Sequence, residues 1–230
     1  MTVGLLQCDH TAPEFRSIAG DYDEMFRAWL PGVEWRVYDL PAGEFPAAPA
    51  ECDAWVATGS RLSVYDDVDW IHRFATLVRE IEAAERPFLG VCFGHQMMGH
   101  ALGGRVVKSA RGWGVGVHEF RVHAPEPWMQ PPLETVSLIM SCQDQVEEPP
   151  PGSVVLASSA HCPVAMFRHG TLLGIQGHPE FGPVYAAALL HYRRERLGEP
   201  MTDAALASLA KPRHSSELAA WARRWLRVAS

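Results

Sequence analysis

Apolar residues in the first half of the chain alternate between short unbroken runs and stretches with helical spacing. Residues 3–8, apolar apart from Gln7, read as a buried strand. Residues 21–30 place Tyr22, Met25, Phe26 and Trp29 at three- and four-residue intervals, the signature of one face of a short helix. Strand candidates follow at 34–40 and 53–57, the second running into Thr58-Gly59-Ser60. A cap at Asp66 or Asp67 then opens a helix with Trp70, Phe74, Leu77, Val78 and Ile81 on one face, ended by Pro87. Residues 88–91 are a short apolar strand. Residues 94–102 read as a helix closed by Gly103-Gly104.

The pattern then changes. Stretches 105–122 and 137–168 hold short β-like runs broken by Gly and Pro. Residues 172–176 are a last strand, and a helix from about 184 to 197 ends in Arg193, Arg194 and Arg196, cations suited to a helix C-terminus. A final amphipathic helix carries Leu218, Trp221, Ala222, Trp225 and Leu226 on one face. Strand-helix alternation followed by consecutive strands predicts an α/β fold: a doubly wound, mostly parallel, flavodoxin-like sheet with helices on both faces and an antiparallel section added later. The 230 residues suit a single domain, 1–230. No internal repeat appears, and the Pro-rich stretches at 125–132 and 149–151 read as surface loops.

Charge narrows the function. The net charge of -7, with no Lys/Arg run, argues against nucleic acid as a partner. No window holds the roughly 18 apolar residues of a membrane span, and the N-terminus lacks the basic region of a signal peptide. Cys8, Cys52, Cys92, Cys142 and Cys162 are odd in number, irregularly spaced and without C-x-x-C, which favours free thiols and a cytoplasmic setting. Among eleven histidines no H-x-x-x-H pair occurs, and His95 and His100, five apart, diverge on a helix, so no metal is expected.

One cysteine stands apart. Gly90-Val91-Cys92-Phe93-Gly94 is G-x-C-x-G between a strand and a helix, the context of a nucleophile elbow. The sharp turn needs small flanking residues, and the helix N-terminus aims N–H groups at the sulfur, favouring the reactive thiolate. A thiolate needs a base, and the base an orienter. Gly177-His178-Pro179-Glu180 supplies both after the last strand: Pro179 favours extended backbone at His178, and residues two apart then project to one side. Oxyanion donors are expected from the N–H of Phe93 and from the Thr58-Gly59-Ser60 loop, through Gly59.

Gly-Val-Cys-Phe-Gly-His-Gln at 90–96, with Gly-His-Pro-Glu at 177–180, resembles the class I (triad) glutamine amidotransferases, and among them stand-alone proteins similar to the amidotransferase part of GMP synthase. The resemblance runs from Gly20-Asp21-Tyr22 through Glu180. It implies a Cys-His-Glu triad at Cys92, His178 and Glu180, an oxyanion loop at Gly59, and a substrate-contacting amide at Gln96. It also implies further substrate-side stretches at Gly112-Trp113-Gly114 and Ser141-Cys142-Gln143-Asp144. Two positions depart from the family pattern. Arg61 stands where the oxyanion loop often has proline, and Cys142 where the later motif often has histidine. No G-x-x-x-x-G-K is present, and Gly112, Gly114 and Gly116 read as a turn region without a nucleotide role.

The expected chemistry is hydrolysis of the γ-amide of glutamine through a γ-glutamyl thioester on Cys92, without metal or organic cofactor. Three alternatives stay open. The enzyme could be a γ-glutamyl peptide hydrolase with the same triad, in which Arg61 binds a carboxylate beyond the scissile bond. The chain could be a silent or regulatory amidotransferase-like subunit. It could also pass ammonia to a separate synthase chain.

Overall fold

The computed structural model describes residues 1–228. The parallel half of the fold holds β1 (Thr2–Gln7), β2 (Glu34–Asp39), β3 (Ala54–Ala57) and β4 (Phe88–Val91). The later strands are β5 (Arg105–Lys108), β6 (Gly114–Val122), β7 (Thr135–Cys142), β8 (Asp144–Glu148), β9 (Val154–Ser158), β10 (Met166–His169) and β11 (Leu172–Ile175). The helices are α1 (Arg16–Ala19), α2 (Tyr22–Trp29), α3 (Asp69–Ala83), α4 (Phe93–Ala101), α5 (Pro183–Tyr192), α6 (Arg194–Leu197), α7 (Glu199–Ser208) and α8 (Ser215–Leu226).

Nine strands form one sheet in the order β2-β1-β3-β4-β11-β10-β9-β6-β7. The first five are mutually parallel, and β10, β9, β6 and β7 extend the sheet antiparallel, so the expected two-part sheet is present. The period-2 alternation of a strand sorts its side chains onto two cores. Val3, Leu5, Val56, Leu89 and Val91 face one core, covered by α2 and α8 through Phe26, Leu30, Leu218, Trp221 and Leu226. Leu6, Trp55, Ala57 and Phe88 face the other, under α3 and α4 through Ile71, Phe74, Val78, Ile81, Phe93 and Met97. Each such fully buried side chain stabilises the fold by about 1.5–3 kcal/mol. Gly4 makes room for Trp55: a Cβ there would lie 2.2 Å from the indole.

The elements depart from the sequence reading in four places. Asp21 caps α2 as the spacing implies, with Glu24 returning a bond to the Asp21 N–H at 2.8 Å. Asp66 and Asp67 do not cap α3. Val68 occupies that position, Asp66 instead accepts from the Ser63 N–H at 2.9 Å, and Asp67 pairs with His72. The helix expected over 184–197 is two: α5 stops at Tyr192 and α6 begins at Arg194. The stop coincides with Arg193 donating to Ser141 Oγ at 2.8 Å, a contact that local helix propensity cannot signal. α7 has no counterpart among the expected helices; its apolar residues are too few to make a clear stripe. Gly114 and Gly116 are not turn residues but lie in β6, where Gly116 has φ +79° and backs onto α7. Among the described residues no helix is long and apolar enough to cross a membrane.

Candidate active site

Three adjacent parallel strands, β3, β4 and β11, run in register, with Ala57 beside Gly90 and Gly90 beside Gly174. Their carboxyl ends therefore finish at one level, and the residues that follow them meet: Gly59 after β3, Cys92 after β4 and His178 after β11. This edge is where open α/β sheets place their sites.

Cys92 sits between β4 and α4 with φ 51° and ψ −97°, a positive φ uncommon for a residue with a side chain. The turn is held by a bond from the Cys92 N–H to Ile175 O at 2.9 Å and one from the Gly94 N–H to Thr58 O at 3.2 Å. It closes only because its flanks are small. A Cβ on Gly90 would lie 2.4 Å from the backbone of Gly94, and one on Gly94 would lie 2.8 Å from Ala57 Cβ. The elbow pattern thus has a steric cause.

His178 Nδ1 lies 2.7 Å from Glu180 Oε1, and the Glu180 side chain is fully buried. Cys92 lies against the imidazole, close enough for its sulfur to favour the charged ring. The His178 N–H is anchored to Ile139 O of β7 at 2.7 Å, which docks the antiparallel section against the triad loop. Phe181 stacks flat on the imidazole, with centroids 3.9 Å apart and planes 6° from parallel, and Tyr185 meets Phe181 edge-on. Glu180 Oε2 has no hydrogen-bond partner among the described residues.

The electrostatics follow from this packing. Burial drives His178 toward its neutral form, but the Glu180 carboxylate and the Cys92 sulfur outweigh it and push the imidazole up to about 10. Cys92 is held well below its usual range. The Cys142 thiol, donating to its sulfur, is the largest cause; it acts against burial and is joined by His178 and Arg193. Cys142 is pushed up by that same bond and by burial, so it remains a donor. Both shifts favour the thiolate and imidazolium forms of the pair. The other cysteines behave as packed thiols: burial raises Cys8 and takes Cys162 up to about 12. All five thiols are free.

Gly59 abuts the pair. A Cβ there would lie 3.0 Å from His178 Cε1 and 3.7 Å from Cys92 Cβ. Phe93 opens α4, so its N–H lacks an intrahelical acceptor, while its ring packs on Trp70 and Phe74. Both expected oxyanion positions thus border Cys92.

A cleft opens in front of Cys92. Gln96 lines it, but its Nε2 is committed to Asp144 O at 2.7 Å and Gln176 Oε1 at 3.2 Å. Its Oε1 is left to accept from a ligand. Trp113 forms part of the wall, with Arg196 4.7 Å and Arg193 5.9 Å from its ring centroid. Arg61 also borders the cleft, yet its guanidinium is bound to Asp9 at 2.8 Å and to His10 O at 2.7 Å. Arg61, expected as a carboxylate anchor, thus borders the cleft with its charge already paired to Asp9. Among the described residues no group of three or more His, Cys, Asp or Glu is placed to hold a metal ion.

Several residues of this site carry no signal in the sequence. Phe181 follows the triad motif directly and has no mark of its own. Arg193 and Arg196 read as ordinary helix-end cations. Cys142 is visible only as a departure from a family pattern, and its thiol contact with Cys92 depends on how β7 docks.

Known proteins resemble this chain in sequence and in fold. The family model for class-I glutamine amidotransferases matches residues 62–189, more than half of the chain. Gamma-glutamyl peptidase 5 of Arabidopsis thaliana is 32% identical over 158 residues, covering 65% of this chain and 63% of that protein. The match therefore spans under two thirds of that relative's length. A glutamine-hydrolysing GMP synthase of Pyrobaculum aerophilum is 37% identical over 140 residues, 58% of this chain and 25% of the synthase. Among solved structures, a glutamine amidotransferase from Methylobacillus flagellatus aligns with TM-score 0.79 at 20% identity, covering 98% of this chain and 94% of that one. One from Thermotoga maritima aligns with TM-score 0.75, also at 20% identity, over 98% and 96%. At that identity the likeness is one of fold.

Proposed function

The chain belongs to the class-I glutamine amidotransferase family, and from that premise we propose that it is a cysteine-dependent hydrolase of γ-glutamyl amides, acting through Cys92, His178 and Glu180. The observation that carries the proposal is the buried line of the three groups: Cys92 beside an imidazole whose Nδ1 is 2.7 Å from the Glu180 carboxylate, with shifts that favour thiolate and imidazolium.

The Cys92 thiolate attacks the γ-carbonyl carbon, and the N–H groups of Phe93 and Gly59 receive the oxyanion. The His178 imidazolium gives its proton to the departing nitrogen, which leaves as ammonia from glutamine or as an amine from another γ-glutamyl compound. A γ-glutamyl thioester remains on Cys92, and His178 is now neutral. It takes a proton from water as the water attacks the thioester, and collapse releases glutamate and restores the thiolate and imidazolium. Glu180 holds the imidazole orientation through both steps, Phe181 supports the ring face, and Gln96 Oε1 accepts from the substrate's α-ammonium group. No cofactor is called for. Residues 1–230 act as one catalytic unit, and the five free thiols support a cytoplasmic setting.

The second reading, a γ-glutamyl peptide hydrolase, is favoured by a specific observation: Lys108, Arg193 and Arg196 line the cleft against a single acidic residue, Asp144, once Arg61 is paired with Asp9. Delivery of ammonia to a separate synthase chain is the outlet that the amidotransferase region of GMP synthase suggests.

The test is turnover of glutamine and of γ-glutamyl dipeptides, assayed as glutamate released. Wild type is expected to release glutamate, and Cys92→Ala to release none while keeping its circular dichroism spectrum and Tm. Steady-state release by clean Cys92→Ala protein would refute the proposal.

A further inference from the structure

We infer that Arg196, laid on Trp113 at the mouth of the Cys92 cleft and backed by Arg193, is a subsite for a carboxylate carried by the leaving group. The inference rests on the γ-glutamyl hydrolase reading and names its substrate class: γ-glutamyl amino acids and short γ-glutamyl peptides with a free C-terminal carboxylate.

The charge inventory carries the argument. Lys108, Arg193 and Arg196 line the cleft, and among the described residues none of the three has a carboxylate partner. Arg61 is taken by Asp9, and Asp144 already accepts from Ser63 Oγ. Glutamine brings one carboxylate and one ammonium, and the ammonium is served by Gln96 Oε1 or Asp144. At least one guanidinium is then left facing an occupied cleft without an anion. A leaving group with its own carboxylate removes that mismatch.

The two arginines lie at different depths. Arg193 is half-buried, donates to Ser141 Oγ at 2.8 Å, and is close enough to Cys92 to favour its thiolate. It suits the glutamyl α-carboxylate. Arg196 is more exposed, at the rim of the same cleft, which suits it to the part of a substrate farther from Cys92. Its guanidinium sits 4.7 Å over the Trp113 ring, which fixes the plane of the fork and leaves its N–H groups free for a carboxylate. Arg61, the cation that the sequence pointed to for this role, already has a carboxylate partner in Asp9, whereas Arg196 has none among the described residues. Both Arg193 and Arg196 lie beyond the 62–189 stretch shared with the family, in the segment where the expected helix breaks into α5 and α6.

The experiment compares γ-glutamyl-alanine with its C-terminal amide and with glutamine, using wild type and Arg196→Met, which keeps the length of the stem. Wild type is expected to favour the free acid over the amide by about tenfold or more in kcat/KM, the range of a hydrogen bond to a charged group. Arg196→Met is expected to erase that preference through KM, leaving the amide and glutamine within about twofold of wild type. Equal kcat/KM for acid and amide in wild type overturns the inference. So does an Arg196→Met protein that slows all three substrates alike, which would place Arg196 on the shared glutamyl moiety or in the scaffold. A second arm measures binding by calorimetry in Cys92→Ala protein with and without Arg196→Met. Tighter binding of the acid than of the amide, lost with Arg196, supports the subsite; equal binding overturns it. If wild type hydrolyses none of the three substrates, the hydrolase reading fails, and the binding arm still decides whether the subsite exists.

Discussion

Replacing Glu180 by Gln keeps the shape of the side chain and removes its charge. The structure sets the size of the effect. His178 is raised from 6.5 to about 10, which is roughly 5 kcal/mol in favour of the imidazolium at about 1.4 kcal/mol per tenfold change. Burial opposes this, so the carboxylate at 2.7 Å and the Cys92 sulfur supply it together. The loss of a hydrogen bond between charged groups is worth about 1.5–3 kcal/mol, up to the order of 100-fold in kcat/KM. Stability should change little, because the new amide nitrogen can take the place of Oε2, which has no partner now. An uncharged atom without a partner replaces a charged one, and its burial costs less. His178→Ala removes the proton carrier of both half-reactions and should lose about 1,000-fold or more. The assay is glutamate release at saturating and limiting substrate, with Tm measured alongside. A parallel readout is the rate of Cys92 alkylation by iodoacetamide against pH. With the imidazolium less favoured, the thiolate loses its nearby cation, and the profile must move to higher pH. Two results would defeat the reasoning: a Glu180→Gln protein with wild-type kcat/KM and an unmoved alkylation profile, or one as impaired as His178→Ala at unchanged Tm.

Three further outcomes are expected. Cys142→Ala removes the thiol that donates to Cys92, so the pH at which alkylation is half-maximal should rise, and the activity loss should be larger at pH 6 than at pH 8; an unmoved profile counts against the contact. Phe181→Leu removes a flat stack worth about 0.5–1.5 kcal/mol, so kcat/KM should fall about two- to tenfold with a smaller change in KM; full activity would show that the ring only fills space. Gly90→Ala sets a Cβ 2.4 Å from the Gly94 backbone and should lower stability by more than about 2 kcal/mol, read as an early urea midpoint; a wild-type midpoint would mean that the elbow is looser than its geometry implies.

Much of the molecule is readable from the amino-acid sequence because the signals are local. A strand buried on both faces needs a nearly continuous apolar run, so residues 3–8 (interrupted only by Gln7), 54–57 and 88–91 disclose the parallel sheet by themselves. A sharp strand-to-helix turn tolerates only small flanks, so Gly90 and Gly94 mark Cys92, and His178 and Glu180, two apart and split by Pro179, mark their own pairing. What depends on distant parts of the chain is not readable. The Cys142 thiol reaches Cys92 because β7 docks on the loop after β11, through the His178 N–H bond to Ile139 O, and nothing near residue 142 encodes that contact. Arg61 looks free in the sequence because its partner, Asp9, is 52 residues away. Arg193 and Arg196 look like helix-end charges because the break at Arg193 coincides with contacts to Ser141 and Trp113 and not with a residue that stops helices. Propensity and periodicity act over a few residues, whereas the pairing of charges in a cleft is decided by which segments the sheet order brings side by side; the groups proposed to react belong to the first kind of information, and the shape and charge of the cleft before them belong to the second.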